Sequence, residues 1–370
     1  MNLPCRRRSL LALLAGAPLL ARAQSRAGEI LLGSSAAFSG PAALLGQRYH
    51  AGAQALFDQV NRGGGIAGAR IRVLRRDDSY EPERAEAHTR ELSQDSSLVA
   101  LFGYVGTPTS RVALAYARRA RLPFVAPFTG ADFLRDPAQV QVFNVRAGYR
   151  EEGQVLVRAM RAAKVRRLNV LYQADLYGRA GLEAIRAAVA PAGIELGAVA
   201  TVKRNSTEVA AAVQALVGRN PADAIFMAST YDSCAAFVRE AREAGFRGPF
   251  YGLSFTGMEP LRQALGRQMQ GVTLSQVVPD AHDASLPVVA AYQRAMTEAG
   301  DRQFDSISLE GYLSARVLVE ALRRAPAPVT REGLQQALEQ LGDLDLGGFA
   351  LRYGPGAHQG SDFVTLQAGR

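Results

Sequence analysis

Tryptophan is absent from this chain, lysine occurs only at Lys164 and Lys203, and the cysteines are Cys5 and Cys234. Cys5 stands before the apolar run Leu10 to Leu20, so it is no lipoprotein acceptor and leaves with the segment that carries it. Cys234 is then alone, which excludes an intramolecular disulfide and a thiolate metal cluster. His50, His88, His282 and His358 are widely separated, and none stands in an H-E-x-x-H pattern or at another metal-ligand spacing. No metal and no cofactor is expected. No apolar stretch reaches the roughly 18 residues of a membrane-spanning helix. There is also no dense basic block with interleaved aromatics, which argues against a nucleic-acid partner. The formal charge of +9 falls to +5 when Arg6, Arg7, Arg8 and Arg22 are removed, and the remaining arginines are scattered along predicted helices.

Those four arginines lie in a secretory signal. A basic start, the apolar run and Ala21-Arg22-Ala23, an A-x-A cleavage pattern, predict a signal peptide over residues 1–23 and a periplasmic protein cleaved after about Ala23. Arg7-Arg8-Ser9-Leu10-Leu11 fits a twin-arginine signal as well as a Sec-type one. An oxidising compartment does not require disulfides of a chain long enough to bury a core.

Beyond the signal, short apolar strands alternate with amphipathic helices, the pattern of parallel sheets covered on both faces. One series runs strand Glu29–Ala36, helix Ala42–Asn61, strand Ile71–Asp77, helix Pro82–Gln94, strand Val99–Phe102, helix Pro108–Arg119 and strand Pro123–Ala126. A second begins near Arg146: helix Glu151–Ala163, strand Leu168–Tyr172, helix Tyr177–Ala190, strand Leu196–Val202, helix Thr207–Val217, strand Ala224–Ala228, helix Tyr231–Ala244 and strand Phe250–Leu253. Strand Val272–Val277, helices Pro287–Glu298, Ser306–Arg323 and Thr330–Leu341, and short strands at Phe349–Tyr353 and Phe363–Leu366 follow. Two doubly wound α/β units fit this length, and the lack of a low-complexity linker predicts several short crossings between them.

Three motifs early in the chain, Phe38-Ser39-Gly40-Pro41, Asn61 to Gly68 and Asp77-Asp78-Ser79-Tyr80-Glu81-Pro82, carry a resemblance. So do Gly103 to Ser110, Pro127 to Ala131, Tyr177-Gly178 and Leu309-Glu310-Gly311-Tyr312. In this order and spacing the chain resembles the branched-chain amino-acid binding protein family, the type I periplasmic receptors. The resemblance implies a two-lobed Venus flytrap, with 24–145 plus about 274–358 in one lobe and 146–273 plus about 359–370 in the other. It implies a monomeric solute-binding component that delivers a small carboxylate-bearing solute to an inner-membrane ABC permease and catalyses nothing.

Ligands of open α/β sheets bind beyond the carboxyl ends of strands, where helix starts offer unpaired N–H groups. Gly106-Thr107-Pro108 lies at such a place, and Thr107 matches the hydroxyl that family members set on the ligand carboxylate. Phe128, Thr129 and Gly130 match a second gripping segment. The resemblance also marks Leu45 and Tyr149, together with Tyr177, Thr230, Tyr231, Ser254 and Phe255, as cleft residues. For each hydroxyl the competing role is an N-cap serving only its own helix, and for the tyrosines it is half-buried packing.

Two departures from the family matter: Gly106 replaces a cysteine of a disulfide found in some relatives, and Ser254-Phe255 replaces a glutamate of the amino-acid binders. The loss of that glutamate favours a carboxylate ligand with an apolar or aromatic body over a zwitterion. Gly252 to Gly257 is one residue too long for a nucleophile elbow, and Gly63 to Gly68 lacks the Lys-Ser/Thr of a P-loop. The pairs Asp77-Asp78 and Glu151-Glu152 read as solvated charges, and Cys234 as a buried helix residue. A ligand-binding partner of a periplasmic sensor needs the same clamp as a transport protein. A periplasmic hydrolase would need a catalytic set that the sequence lacks.

Overall fold

A computed structural model describes residues 28–369; the signal peptide and Cys5 lie outside the described residues. The first half runs β1 (Glu29–Ala36), α1 (Ala43–Arg62), β2 (Arg70–Asp77), α2 (Pro82–Gln94), β3 (Leu98–Phe102), α3 (Thr107–Ala120), β4 (Phe124–Val125) and β5 (Val142–Phe143). Its five strands form one parallel sheet in the order β2-β1-β3-β4-β5. The second half runs α4 (Tyr149–Ala162), β6 (Arg167–Gln173), α5 (Leu176–Val189), β7 (Glu195–Val202), α6 (Ala210–Val213), β8 (Ala224–Ala228), α7 (Tyr231–Glu243), β9 (Phe250–Gly252), α8 (Met258–Leu265) and β10 (Val272–Gln276). The remaining elements are α9 (Pro287–Glu298), α10 (Ser306–Arg324), α11 (Arg331–Glu339), β11 (Gly342–Asp345), β12 (Ala350–Tyr353) and β13 (Thr365–Ala368). The second sheet has the order β13-β10-β9-β8-β6-β7, and only its edge strand β13 is antiparallel.

Central strands are apolar throughout because helices cover both faces. Leu98–Phe102 and Ala224–Ala228 are buried at every residue, whereas the edge strand β2 exposes arginines. Helix α10 returns to the first sheet and packs on α1 at backbone contact. A Cβ on Gly52 would stand 1.8 Å from the Ser308 carbonyl oxygen, and one on Gly311 at 1.8 Å from that of Tyr49. These two glycines let the helices cross closely enough to bring Glu310 toward the sheet's carboxyl edge.

The chain passes between the sheets three times, at residues 144–148, 277–286 and 354–364. The first and third crossings pair directly: the Asn144 N–H donates to His358 O and the Gly360 N–H to Asn144 O, each at 2.9 Å. Some elements depart from the sequence reading. The strands β5 and β11 and the helix α8 had no separate signal, since two-residue and four-residue strands carry too little periodicity. The helix expected over Thr207–Val217 starts at Ala210 and ends in a π-turn at Gln214–Gly218.

Candidate functional site

The carboxyl ends of β3 and β4 bring two hydroxyl loops together. Gly106 precedes α3 with φ +104, a conformation open to glycine, and a Cβ there would lie 2.1 Å from the Tyr80 ring. Thr107 then occupies the first turn of α3, but no side chain caps that helix. Its Oγ1 lies 2.7 Å from Thr129 Oγ1, which in turn lies 3.1 Å from the Tyr149 hydroxyl. Capping is therefore not what Thr107 does. Thr109 does serve its own helix, donating to Val105 O at 2.5 Å. Gly130 is small for a steric reason, because a Cβ would come within 2.4 Å of the Tyr149 ring.

Tyr149 opens α4, so this hydroxyl chain already joins the two halves of the molecule. An aromatic cluster continues the junction. Phe255 faces Phe128 at 5.3 Å, Tyr177 at 4.8 Å and Tyr80 at 6.0 Å between ring centroids, and Tyr149 lies 5.6 Å from Tyr177. The Asp175 carboxylate accepts the Tyr177 and Gly178 N–H groups and so fixes where Tyr177 enters from α5. Tyr80 is set by a turn in which Ser79 and Tyr80 have φ of +49 and +63. Asp77 and Asp78 hold that turn by accepting the N–H groups of Ser79 and Tyr80. Leu45 packs beside Gly257, and the Tyr231 hydroxyl accepts from Leu44 N at 3.4 Å. All twelve site residues marked in the sequence are buried at this junction.

Beneath the rings lies a buried charge network that the sequence reading missed. Arg146, on the first crossing, is 1 % exposed, yet its guanidinium is 3.1 Å from Glu152 of α4, 3.4 Å from Glu310 of α10 and 5.1 Å from the Phe128 ring centroid. It also donates to Ser254 Oγ. Glu152 further accepts the Ser254 N–H at 2.8 Å and the Ser275 hydroxyl at 2.5 Å. Ser254 is thereby committed to this network. Burial works against the Arg146 charge, but Glu310 and Glu152 outweigh it and hold its pKa above the usual range. Burial also pushes Glu310 up to about 7, since one guanidinium serves two carboxylates.

Two expectations are corrected here. Glu152 and Asp78 are both fully buried, not solvated, because each is enclosed by its own donors. No pattern in the sequence marks Arg146: it is one arginine among many until the crossing threads it between the lobes. Cys234 is buried, as its helix position suggested, and burial pushes its thiol up to about 12.

Some buried polar atoms at this junction are left without partners. Among the described residues, the Tyr80 and Tyr177 hydroxyls, Thr230 Oγ1 and Arg146 Nε are buried without a hydrogen-bond partner, and Arg146 Nη1 has only its ion pair with Glu310. Burial pushes both phenols well above their ordinary pKa, so they remain protonated donors. Such atoms cost roughly 1–3 kcal/mol each when unpaired, and a converging set of donors in an aromatic enclosure is suited to an anionic oxygen. A cavity of about 400 Å³, lined in part by Ala131, Leu176 and Tyr149, opens at one rim of the junction. Across the opposite elements Arg204 pairs with Glu81 at 2.7 Å, and Asn205 donates to the same carboxylate at 2.8 Å. No group of three or more His, Cys, Asp or Glu residues suited to a metal ion occurs among the described residues.

Similarity to known proteins agrees with this architecture. A possible leucine/isoleucine/valine-binding protein from Rhodopirellula baltica is 33% identical, with a TM-score of 0.87 over 92% of this chain and 94% of that one. A substrate-binding periplasmic protein from Ralstonia solanacearum is 32% identical, with a TM-score of 0.86 over 92% and 97% of the two chains. The Leu/Ile/Val-binding protein homolog 7 of Brucella melitensis is 24% identical over 362 residues, 91% of this chain and 87% of the relative. The sequence profile described as periplasmic binding protein matches residues 29–367. This chain belongs to the periplasmic binding protein family, whose members bind solutes and are not enzymes.

Proposed function

We propose that the chain captures a small carboxylate-bearing solute, an amino acid or related organic acid with an apolar or aromatic body, between two closing lobes. It passes that solute to an inner-membrane ABC permease. The observation that carries the reading is the converging set of unpaired donors from Tyr80, Tyr177, Thr230 and Arg146 inside an aromatic enclosure. The Glu152 carboxylate beneath the rings already accepts from Arg146, Ser254 and Ser275, which favours an anion over an ammonium group there. Leu/Ile/Val-binding names among the relatives agree with a small ligand that bears a carboxylate and an apolar body. The protein works as a periplasmic monomer after cleavage near Ala23, and its lobes hinge at the three crossings.

Closure follows from differential binding: a ligand that touches both lobes binds the closed state more tightly and shifts the population toward it. Mass spectrometry of the small molecules released on denaturing the purified protein tests the ligand class. Recovery of a carboxylate with a hydrocarbon or aromatic body is expected. Recovery of a neutral sugar with no carboxylate beside it would refute the reading.

A further inference from the structure

A second cavity lies at the hinge, away from the aromatic cluster. It has a volume of about 390 Å³, within the usual range of small-molecule sites. Its walls come from both sheets' territories: Gln276 at the end of β10, Glu259 in the first turn of α8, Asp280 and Asp283 on the second crossing, Ser306 at the start of α10, and Phe363 on the third crossing. Gln276 is 5 % exposed, and its amide nitrogen has no partner among the described residues. Turning the amide over would leave its buried end equally unmatched. The exposed Phe363 ring, at 38 %, adds an apolar wall that packing alone does not explain.

The charge of the lining is one-sided. Glu259, Asp280 and Asp283 contribute carboxylates, and no lysine or arginine lines the cavity among the described residues. Asp280 and Asp283 each use Oδ1 to hold the crossing's own N–H groups, of His282 and Ser285. Ser306 donates to Glu259 Oε2 at 3.2 Å, a contact made across the two lobes. An organic anion, zwitterions included, would place its carboxylate against these three acids.

We propose that this cavity is a second binding site, for a compact organic ammonium ion that carries a hydroxyl or carbonyl acceptor. The ammonium group sits between Glu259 and the aspartates, the acceptor takes the Gln276 amide, and Phe363 covers the carbon portion. Because the walls come from both lobes, a bound cation stabilises the closed arrangement, and by linkage it raises affinity in the main cleft by the same factor that the cleft ligand raises its own.

The proposal does not depend on the identity of the cleft ligand, and its test is kept separate. Protonated ethanolamine at neutral pH is titrated into the full protein by ligand-observed NMR, with glycolate as the control that keeps the hydroxyl and reverses the charge. Saturable binding of ethanolamine that glycolate does not displace is expected. Glu259→Gln, and separately Asp283→Asn at the more exposed edge, should each weaken it by roughly tenfold, while Thr107→Val in the main cleft leaves it unchanged. Absence of saturable ethanolamine binding, its displacement by glycolate, or wild-type binding in both acid variants would overturn the proposal. Loss of ethanolamine binding in Thr107→Val would do the same by moving the cation to the main cleft.

Discussion

Replacing Glu310 by glutamine removes one charge from the buried network without changing its shape. Burial dominates the environment of this carboxyl, the Arg146 guanidinium at 3.4 Å opposes that effect, Glu152 adds to it and Arg135 weakly opposes it. The outcome is a folded-state pKa near 7 against an ordinary 4.5. A raised carboxyl pKa means that the folded state holds the proton more tightly. The associated stability is complete below about pH 4.5 and is lost as pH rises through 7. At about 1.4 kcal/mol per unit, the loss totals about 3 kcal/mol, most of which falls between pH 5 and pH 8. The amide introduced by Glu310→Gln mimics the neutral acid and does not titrate. Urea unfolding of both proteins at pH 5, 6, 7 and 8 should show the stability of Glu310→Gln relative to wild type growing by that amount as pH rises. A difference that stays flat would mean that Arg146 keeps Glu310 ionised throughout, and that attraction to one shared guanidinium outweighs burial.

The remaining predictions concern the cleft and its closure. Thr107→Val removes a hydroxyl from the Thr107–Thr129–Tyr149 chain and should weaken binding of the identified solute by about tenfold to a hundredfold, with an unchanged circular dichroism spectrum; calorimetry showing full affinity would remove this loop from the site. Gly106→Ala forces a Cβ into the Tyr80 ring at φ +104 and should lower stability by about 1–3 kcal/mol as well as affinity, read by thermal melts and calorimetry. Arg204→Gln breaks the pair with Glu81 that spans the lobes. Its partial exposure limits the effect to about 0.5–1 kcal/mol, so affinity should fall a few-fold and lose part of its salt dependence. Small-angle scattering should record a smaller radius of gyration with solute than without, and superimposable curves would contradict lobe closure.

The regular part of this fold was legible because it is periodic. The β1 strand Glu29–Ala36 and the α9 helix Pro287–Glu298 match the sequence reading residue for residue, as a buried strand and a proline-started helix should. Short elements such as Val142–Phe143 exist only because a neighbouring strand hydrogen-bonds them, and nothing local announces that. The site divides in the same way. Thr107 and Thr129 were marked because they sit beyond strand ends within motifs, and Tyr149, Tyr177 and Phe255 because the family resemblance carries them. Arg146, Glu152 and Glu310 meet only after residues from a crossing, from α4 and from α10 converge, and a buried ion pair between distant segments has no signature in composition or spacing. Tyr80 was quoted in a motif without a role, since its direction depends on two consecutive left-handed residues.

The three crossings bear on how the chain reaches its native state at all. Neither sheet is supported by one continuous stretch. Helix α10, which covers the first sheet, starts at Ser306, and the second sheet gains its last strand at Thr365–Ala368, four residues of which pair with β10. Late segments must therefore be present before either unit is whole, and contacts of such long sequence separation form slowly. A chain delivered only as far as β10 still lacks α10 on the first sheet and β13 on the second. The segments from Ser306 to Ala368 complete both halves of the clamp. Deleting β13 would remove four residues and with them the edge of a sheet that begins far upstream, at Arg167, so the shortest terminal truncation reaches deep into the protein.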